Sequence, residues 1–379
     1  MKIVQLKKTE GGNFEYLSEK IRLKNPLVLV FGNRALLENE NIYNEIKSIF
    51  KDGHIVFGST SGDIMLNSVS DNTITITAIE FERTKFEIKT SNVLTAEPFI
   101  SSFETGKSLI NQFSKQNLRY VFIVSEGSFI NGSQLAVGMN FATDNELLIT
   151  GGLCGDDDKF ESTLSSYNEN PKKGEIVAIG FYGDSLEVSF ATSGGWKPFG
   201  PERIVTKSKD NVLFELDGKP ALDLYKTYLG SKANELPGAA LLYPLNVKSV
   251  NDDKSIVRTI LNIDEKENSM ILAGDIKEGS TVQLMMTGID NLVNAAETGA
   301  KNALSSRKNN PELAILISCI GRKLVLNQRV EEEVEEIIEV IGKDAAVCGF
   351  YSYGEIAPFN KEQHCQLHNQ TMTVTLISE

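Results

Sequence analysis

One pattern occurs three times in this chain and restricts it to folds that can place three similar units. Short apolar runs, "LVLVFG" from Leu27, "YVFIVS" from Tyr120 and "LAILIS" from Leu313, have the length and composition of buried strands. A helical pattern follows each. Ile42, Ile46, Ile49 and Phe50 fall at i, i+4, i+7 and i+8, and Val330, Val334, Ile337 and Ile338 repeat that spacing, so each set shares one helix face. The middle copy, with Leu135, Met139 and Ala142, is weaker. A second strand then ends in a glycine turn: "VFGSTSGDI", "ITGGLCGDD" and "VCGFYSYGEI". Gly58, Gly151 and Gly349 align, as do Ser61, Cys154 and Ser352, then Gly62, Gly155 and Gly354, then Asp63, Asp156 and Glu355. The third copy carries one extra residue, Tyr353. A closing strand ends each unit, "TITITAIEF", "EIVAIGFYG" and "TMTVTLIS".

The pattern predicts an α/β fold with mixed sheets built from three βαββ-type internal repeats, arranged in two intimately packed domains. Its glycines read as positions of positive φ or close backbone approach. The acids after them read as acceptors for nearby amides. Cys154 stands where the other copies have serine, which suits a small side chain beside a turn better than a nucleophile.

Between the second and third copies the pattern changes. "DNVLFELDGKPALDLYKTYLG" reads as a strand, a turn at Asp217-Gly218 and a helix stopped by Gly230. "ALLYPLNV", "IVRTILNI", "SMILAG" and "TVQLMMTG" then read as strands. Gly and Pro concentrate in "SGGWKPFGPERIV", which sets the expected domains at 1–205 and 206–379.

With 51 acidic against 38 basic residues the net charge is −13, which repels nucleic acid and anionic lipid surfaces. The amino terminus has no apolar signal-like core and no apolar run approaches a membrane span. Cys154, Cys319, Cys348 and Cys365 have neither metal-site nor disulfide-framework spacing, so a reduced, cytoplasmic protein without a metal centre is expected. There is no GxSxG, P-loop or dinucleotide fingerprint, and the expectation is a non-enzymatic protein.

Taken together, "SGGWKPFGPERIVTKSKDNVLFELDGKPALDLYKTYLG", "GGLCGDD", "SCIGRKLVL", "GFYSYGEIAP" and "LHNQTMTVTLI" resemble the FIST family, from about Leu27 onward. The resemblance implies a sensory protein that binds a small ligand, an amino acid being the usual suggestion. No kinase, cyclase, receiver or helix-turn-helix segment is recognisable, so a signal is expected to pass to a separate partner. Some members of similar layout are haem-based nitric-oxide sensors that regulate a partner histidine kinase, which makes that the alternative reading. An unrecognised enzyme is the lesser one.

An amino-acid ligand needs an anion for its ammonium group and a cation or amides for its carboxylate. Asp156, Asp157 or Glu355 are candidates for the first role and Arg322, in "SCIGRKL" after a buried strand, for the second. Trp196, Tyr351 and Tyr353 are candidate walls, with Cys154, Cys319 and Ser352 alongside. The run Asp156 to Asp158 lacks the alternation of a calcium loop and reads as a solvated turn. Among the histidines, His54, His364 and His368, only His368 is in phase with Met372, Val374 and Leu376 and faces an apolar layer. It is the candidate haem ligand.

Overall fold

Neighbouring residues of a strand face opposite ways, so a strand covered on both sides needs apolar residues throughout. That requirement organises the computed structural model, which describes residues 1–95, 100–143, 147–250, 255–305, 307–359 and 364–379. The first unit comprises β1 (Lys2–Thr9), β2 (Leu27–Gly32), α1 (Ile42–Ile49), β3 (His54–Ser59), β4 (Asp63–Met65) and β5 (Thr73–Glu80). The second runs through β6 (Lys85–Asn92), α2 (Ser102–Asn111), β7 (Leu118–Ser125), α3 (Gly132–Phe141), β8 (Leu148–Leu153), β9 (Ser165–Tyr167) and β10 (Glu175–Tyr182). A third begins with β11 (Glu187–Ser193). It is interrupted by β12 (Lys197–Lys209), β13 (Val212–Leu216), α4 (Ala221–Leu229), β14 (Leu245–Lys248), β15 (Ser255–Arg258), β16 (Ile260–Asp264), β17 (Ser269–Leu272) and β18 (Thr281–Met286). It resumes with α5 (Ile289–Ser305), β19 (Leu313–Cys319), α6 (Ile320–Leu326), α7 (Glu332–Ile341), β20 (Ala346–Ser352), β21 (Gly354–Pro358), β22 (Cys365–His368) and β23 (Met372–Ser378).

The class is α/β with mixed sheets, as expected. Three six-stranded sheets share one pairing scheme. In each, the first and second strands of the pattern are parallel (β2 with β3, β7 with β8, β19 with β20). The closing strand (β5, β10, β23) runs antiparallel to the first. On its far side lie β1, β6 and β11, edge strands that the sequence pattern does not signal.

The strand after each glycine turn leaves its own sheet. β4 pairs with β20, β21 with β8, and β9 with β3. Each sheet is therefore completed by a neighbour's strand, in a closed cycle of three. Two of the three sheets draw on sequence from both sides of residue 205.

The three sheets enclose one core. Leu27, Leu29 and Phe31, Tyr120, Phe122 and Val124, and Leu313, Ile315 and Ile317 meet in a single apolar cluster with Cys154 and Phe350. Val28 and Val30 belong instead to the layer under α1, Val121 and Ile123 to that under α2 and α3, and Ala314 and Leu316 to that under α5 and α7. Each fully buried Leu, Ile, Val or Phe contributes about 1.5–3 kcal/mol.

The interrupting segment forms its own sheet, in the order β15-β14-β18-β12-β13-β17-β16. Its two ends are consecutive in the chain, with Thr259 between them, so the sheet curls towards closure. Leu222 and Tyr225 of α4 pack into its core with Leu213, Met270 and Leu272. Two strand expectations change here. "IVRTILNI" breaks at Thr259, and "ALLYPLNV" begins as a 3-10 helix, Gly238–Leu242, before extending at Leu245. No helix among the described residues is long and apolar enough to cross a membrane.

The aligned glycines have a steric cause. A Cβ on Gly151 would overlap the Ile123 carbonyl oxygen of the parallel neighbour, and one on Gly349 the Leu316 carbonyl oxygen. Gly58 instead faces the Val124 side chain. Gly151→Ala and Gly349→Ala should each lose at least about 3 kcal/mol in urea unfolding. Gly218→Ala, at φ 73° with nothing within 4 Å, should lose only about 1 kcal/mol. Equal losses at all three positions would contradict the steric explanation.

Candidate functional site

The three glycine turns converge. Ser61 N donates to Tyr351 O (2.9 Å) and Tyr351 N to Gly62 O (2.8 Å); Gly155 N donates to Ser59 O (2.9 Å); Tyr353 N donates to Leu153 O (3.2 Å). Ser61, Cys154 and Ser352 are all fully buried at this junction. The acids that follow are held by hydroxyl groups. Asp63 accepts from Thr60 (2.7 Å) and Thr73 (2.6 Å), and Glu355 from Ser352 (2.8 Å) and from the hydroxyl (2.7 Å) and amide (3.1 Å) of Thr371. Burial pushes both carboxyls up to about 7.

Most residues expected at a ligand thus serve the framework. Asp156 is buried and pairs with Arg34 Nε at 2.9 Å. Asp157, with φ 53°, accepts from the Asn33 amide at 3.0 Å. Tyr353 stacks on Phe160 at 4.4 Å and its hydroxyl accepts from Phe160 N. The Trp196 indole donates to Gln370 O at 3.1 Å. Cys319 is buried next to the Glu355 carboxyl, and burial raises its thiol pKa and that of Cys154.

The expectation for Arg322 is corrected. Its bend is not an open loop but the first turn of α6, and its guanidinium has no exposure. Nε (3.0 Å) and Nη2 (2.7 Å) donate to the buried Glu333, Nη2 also to Leu292 O (3.0 Å), and Nη1 to Gly194 O. Tyr351 and Ser318 donate their hydroxyls to the other Glu333 oxygen at 2.5 and 3.0 Å. This is an internal ion pair, with Tyr351 as part of its shell.

His368 does not fit a haem. It ends β22, separated from β23 by a turn, and its ring is 1% exposed. Nε2 lies 2.8 Å from Ala357 O, and Phe359 packs edge-on at 4.6 Å. Desolvation pulls its pKa down to about 4. Leu367 beside it lines a cavity; His368 does not.

That cavity, of about 510 Å³, lies where α3, the interrupting sheet and β22 meet. α3 supplies Ser133, Ala136, Val137 and Phe141; the sheet and its 275–277 loop supply Val247, Ile256, Arg258, Ile276 and Lys277; 359 and 364–367 close it. Asn140 pins β22 to α3, donating to Cys365 O (2.7 Å) and accepting from Cys365 N (3.2 Å). Asp275 fastens the interrupting sheet to the start of α3, accepting from Asn131 (2.6 Å) and Gln134 (2.5 Å), while its amide donates to Ser133 Oγ (3.2 Å).

Arg258, 6% exposed, forms part of the wall. It donates to Leu367 O (2.9 Å), Asp275 O (3.3 Å) and Ser133 Oγ (3.5 Å), all uncharged acceptors. Among the described residues it forms no ion pair within 4 Å; desolvation lowers its pKa to about 10, opposed by the more distant charge of Asp275. A larger groove of about 660 Å³ by Lys20, Arg22 and Lys51 is walled by exposed charges and has no comparable buried group.

Sequence reasoning missed this site, although two signals mark it. Val137 and Phe141 lie off the Leu135–Met139–Ala142 stripe of α3 yet are apolar, and Arg258 lies in phase with apolar Ile256 along β15.

Comparison with known proteins matches residues 26–219 to the FIST N domain and 221–358 to the FIST C domain. An uncharacterised protein of Methanocaldococcus jannaschii is 29% identical over 240 residues, covering 55% of this chain and 44% of the relative. The match thus spans less than half of that relative's length.

Two outcomes are expected from the buried charges. Arg322→Met should lose about 3–5 kcal/mol in chemical denaturation, because it strands the Glu333 carboxylate; a loss under 0.5 kcal/mol, a roughly surface-like value, would contradict the pairing. Asp63 and Glu355 hold their protons to about pH 7 when folded but release them near 3.8 and 4.5 when unfolded. Their contribution is therefore fully present at low pH and is lost as pH rises through 7. Unfolding free energy should fall across this window, and the Asp63→Asn, Glu355→Gln double variant should flatten the fall; an unchanged slope would contradict it.

Proposed function

We propose, from the premise that this chain belongs to the FIST family, whose domains are associated with sensing and signal transduction, that it is a non-enzymatic sensor of a small carboxylate-bearing ligand. The observation that carries the reading is Arg258. Among the described residues its guanidinium donates to uncharged acceptors and feels the Asp275 carboxylate only from a distance, so a buried cation there gains from a contacting anionic charge. A ligand carboxylate in the cavity supplies that charge in a bidentate geometry that suits arginine.

The same residue connects ligand to framework. Arg258 donates to Ser133 Oγ, which also accepts from the Asp275 amide, and these are among the contacts through which the interrupting sheet meets the start of α3. A carboxylate that draws the guanidinium towards the cavity weakens those contacts and changes how the sheet sits on α3. A separate partner protein reads that change.

Calorimetric titration of a carboxylate panel, amino acids included, into wild type and Arg258→Gln tests this. The variant, with its fold checked by circular dichroism, should bind more weakly by about 1.5–3 kcal/mol, the range for a hydrogen bond to a charged group. Equal affinity in two folded proteins, or no binding by any carboxylate, would overturn it.

A further inference from the structure

We infer that the ligand is an amphipathic monocarboxylate, an anionic head on an apolar chain, rather than a zwitterionic amino acid. The inference rests on the assignment of the cavity as the sensory site and adds the class of ligand. Three features support it.

The first is charge. An amino acid brings an ammonium group that needs an acceptor of opposite charge. The carboxylate in the described wall is Asp275, and each of its oxygens already accepts a short hydrogen bond, from Asn131 or Gln134. Arg258 and Lys277 are the other charged groups there. Among the described residues an ammonium group would be left between two cations and an engaged acid.

The second is size. A cavity of roughly 150 Å³ suffices for benzene. At about 510 Å³ this one, half open to solvent, has a volume in the range of sites for drug-sized molecules, roughly 300–1,000 Å³. A free amino acid held at Arg258 would leave most of it filled with water.

The third is the distribution of apolar surface. Val137 and Phe141 are 51% and 61% exposed although they lie on a packed helix, and both line the cavity. Ile256 and Ile276 line it too, and Arg258 lies at the buried side, 6% exposed. A head on Arg258 and a chain along Val137 and Phe141 would cover this surface, which water otherwise contacts at a cost proportional to its area.

The test is calorimetric titration of decanoate, octanoate, 1-decanol, decylamine and leucine, below micellar concentrations, into wild type, Arg258→Gln and Val137→Asp. In the wild type decanoate should bind at least tenfold more tightly than leucine or decylamine, and each methylene removed between decanoate and octanoate should weaken binding about fourfold. Arg258→Gln should lose at least tenfold for decanoate and leave 1-decanol unchanged. Val137→Asp, at an exposed position, should lose decanoate affinity while remaining folded. If leucine binds the wild type through Arg258 as tightly as decanoate, or chain length has no effect, the ligand class is wrong while the site stands. If no carboxylate binds, the sensory assignment of the cavity falls with it.

Discussion

The exchange of strands at the three glycine turns is the constraint from which the rest of the structure follows. None of the three sheets is complete without a strand from another unit, because β4, β9 and β21 each cross to a neighbour after their turn. Gly151 and Gly349 let the second strand of a unit lie close against its parallel neighbour just before the turn, and at the crossing itself Gly155 lies against Ser61, where a Cβ would overlap the hydroxyl. It also buries backbone that must find partners, which the reciprocal amide and carbonyl contacts between turns supply. Since the inner faces of all three sheets form one apolar cluster, the units gain their burial together. Asp63 and Glu355 are retained at this dry junction by hydroxyl donors and by holding their protons.

A junction so fully packed leaves little room for a ligand, and the proposed site falls where the approximate symmetry is broken. The third unit is interrupted by a curled sheet between β11 and α5, and that sheet rests on α3 of the second unit. Its contact is polar and partial. Beside it remain a cavity, an arginine that forms no ion pair within 4 Å among the described residues, and apolar side chains facing water. Elsewhere the protein pairs a buried guanidinium with a carboxylate, as Arg322 with Glu333 shows. The contrast between these two arginines is what singles out Arg258, and not Arg322, as the proposed binding group.

How much was legible depended on what each residue touches. β2, β7 and β19 were visible because burial on both faces demands continuous apolar sequence. β1, β6 and β11 lie outside them and mix charge with apolar residues, so they carry no such run. α5 was overlooked because it packs through Ala296, Gly299, Ala300 and Ala303, small residues that periodicity underweights. Cys154, Ser352 and Glu355 stood out because they occupy repeated positions, and those positions lie at the packed turns. Arg322 looked available because nothing local shows that Glu333, across a helix break, reaches back to it. Arg258 was hidden by the reverse circumstance, an arginine inside an ordinary strand whose surroundings come from α3 and β22.

The central claim is that the ligand binds at the seam between the interrupting sheet and α3, and that the turn junction is structural. Amide hydrogen exchange with and without saturating decanoate tests it most directly. The account predicts altered exchange at 131–137, 256–260 and 273–277, with no change at 60–63, 154–157 and 352–355. Protection centred on the three turns, with the seam unaffected, would contradict it.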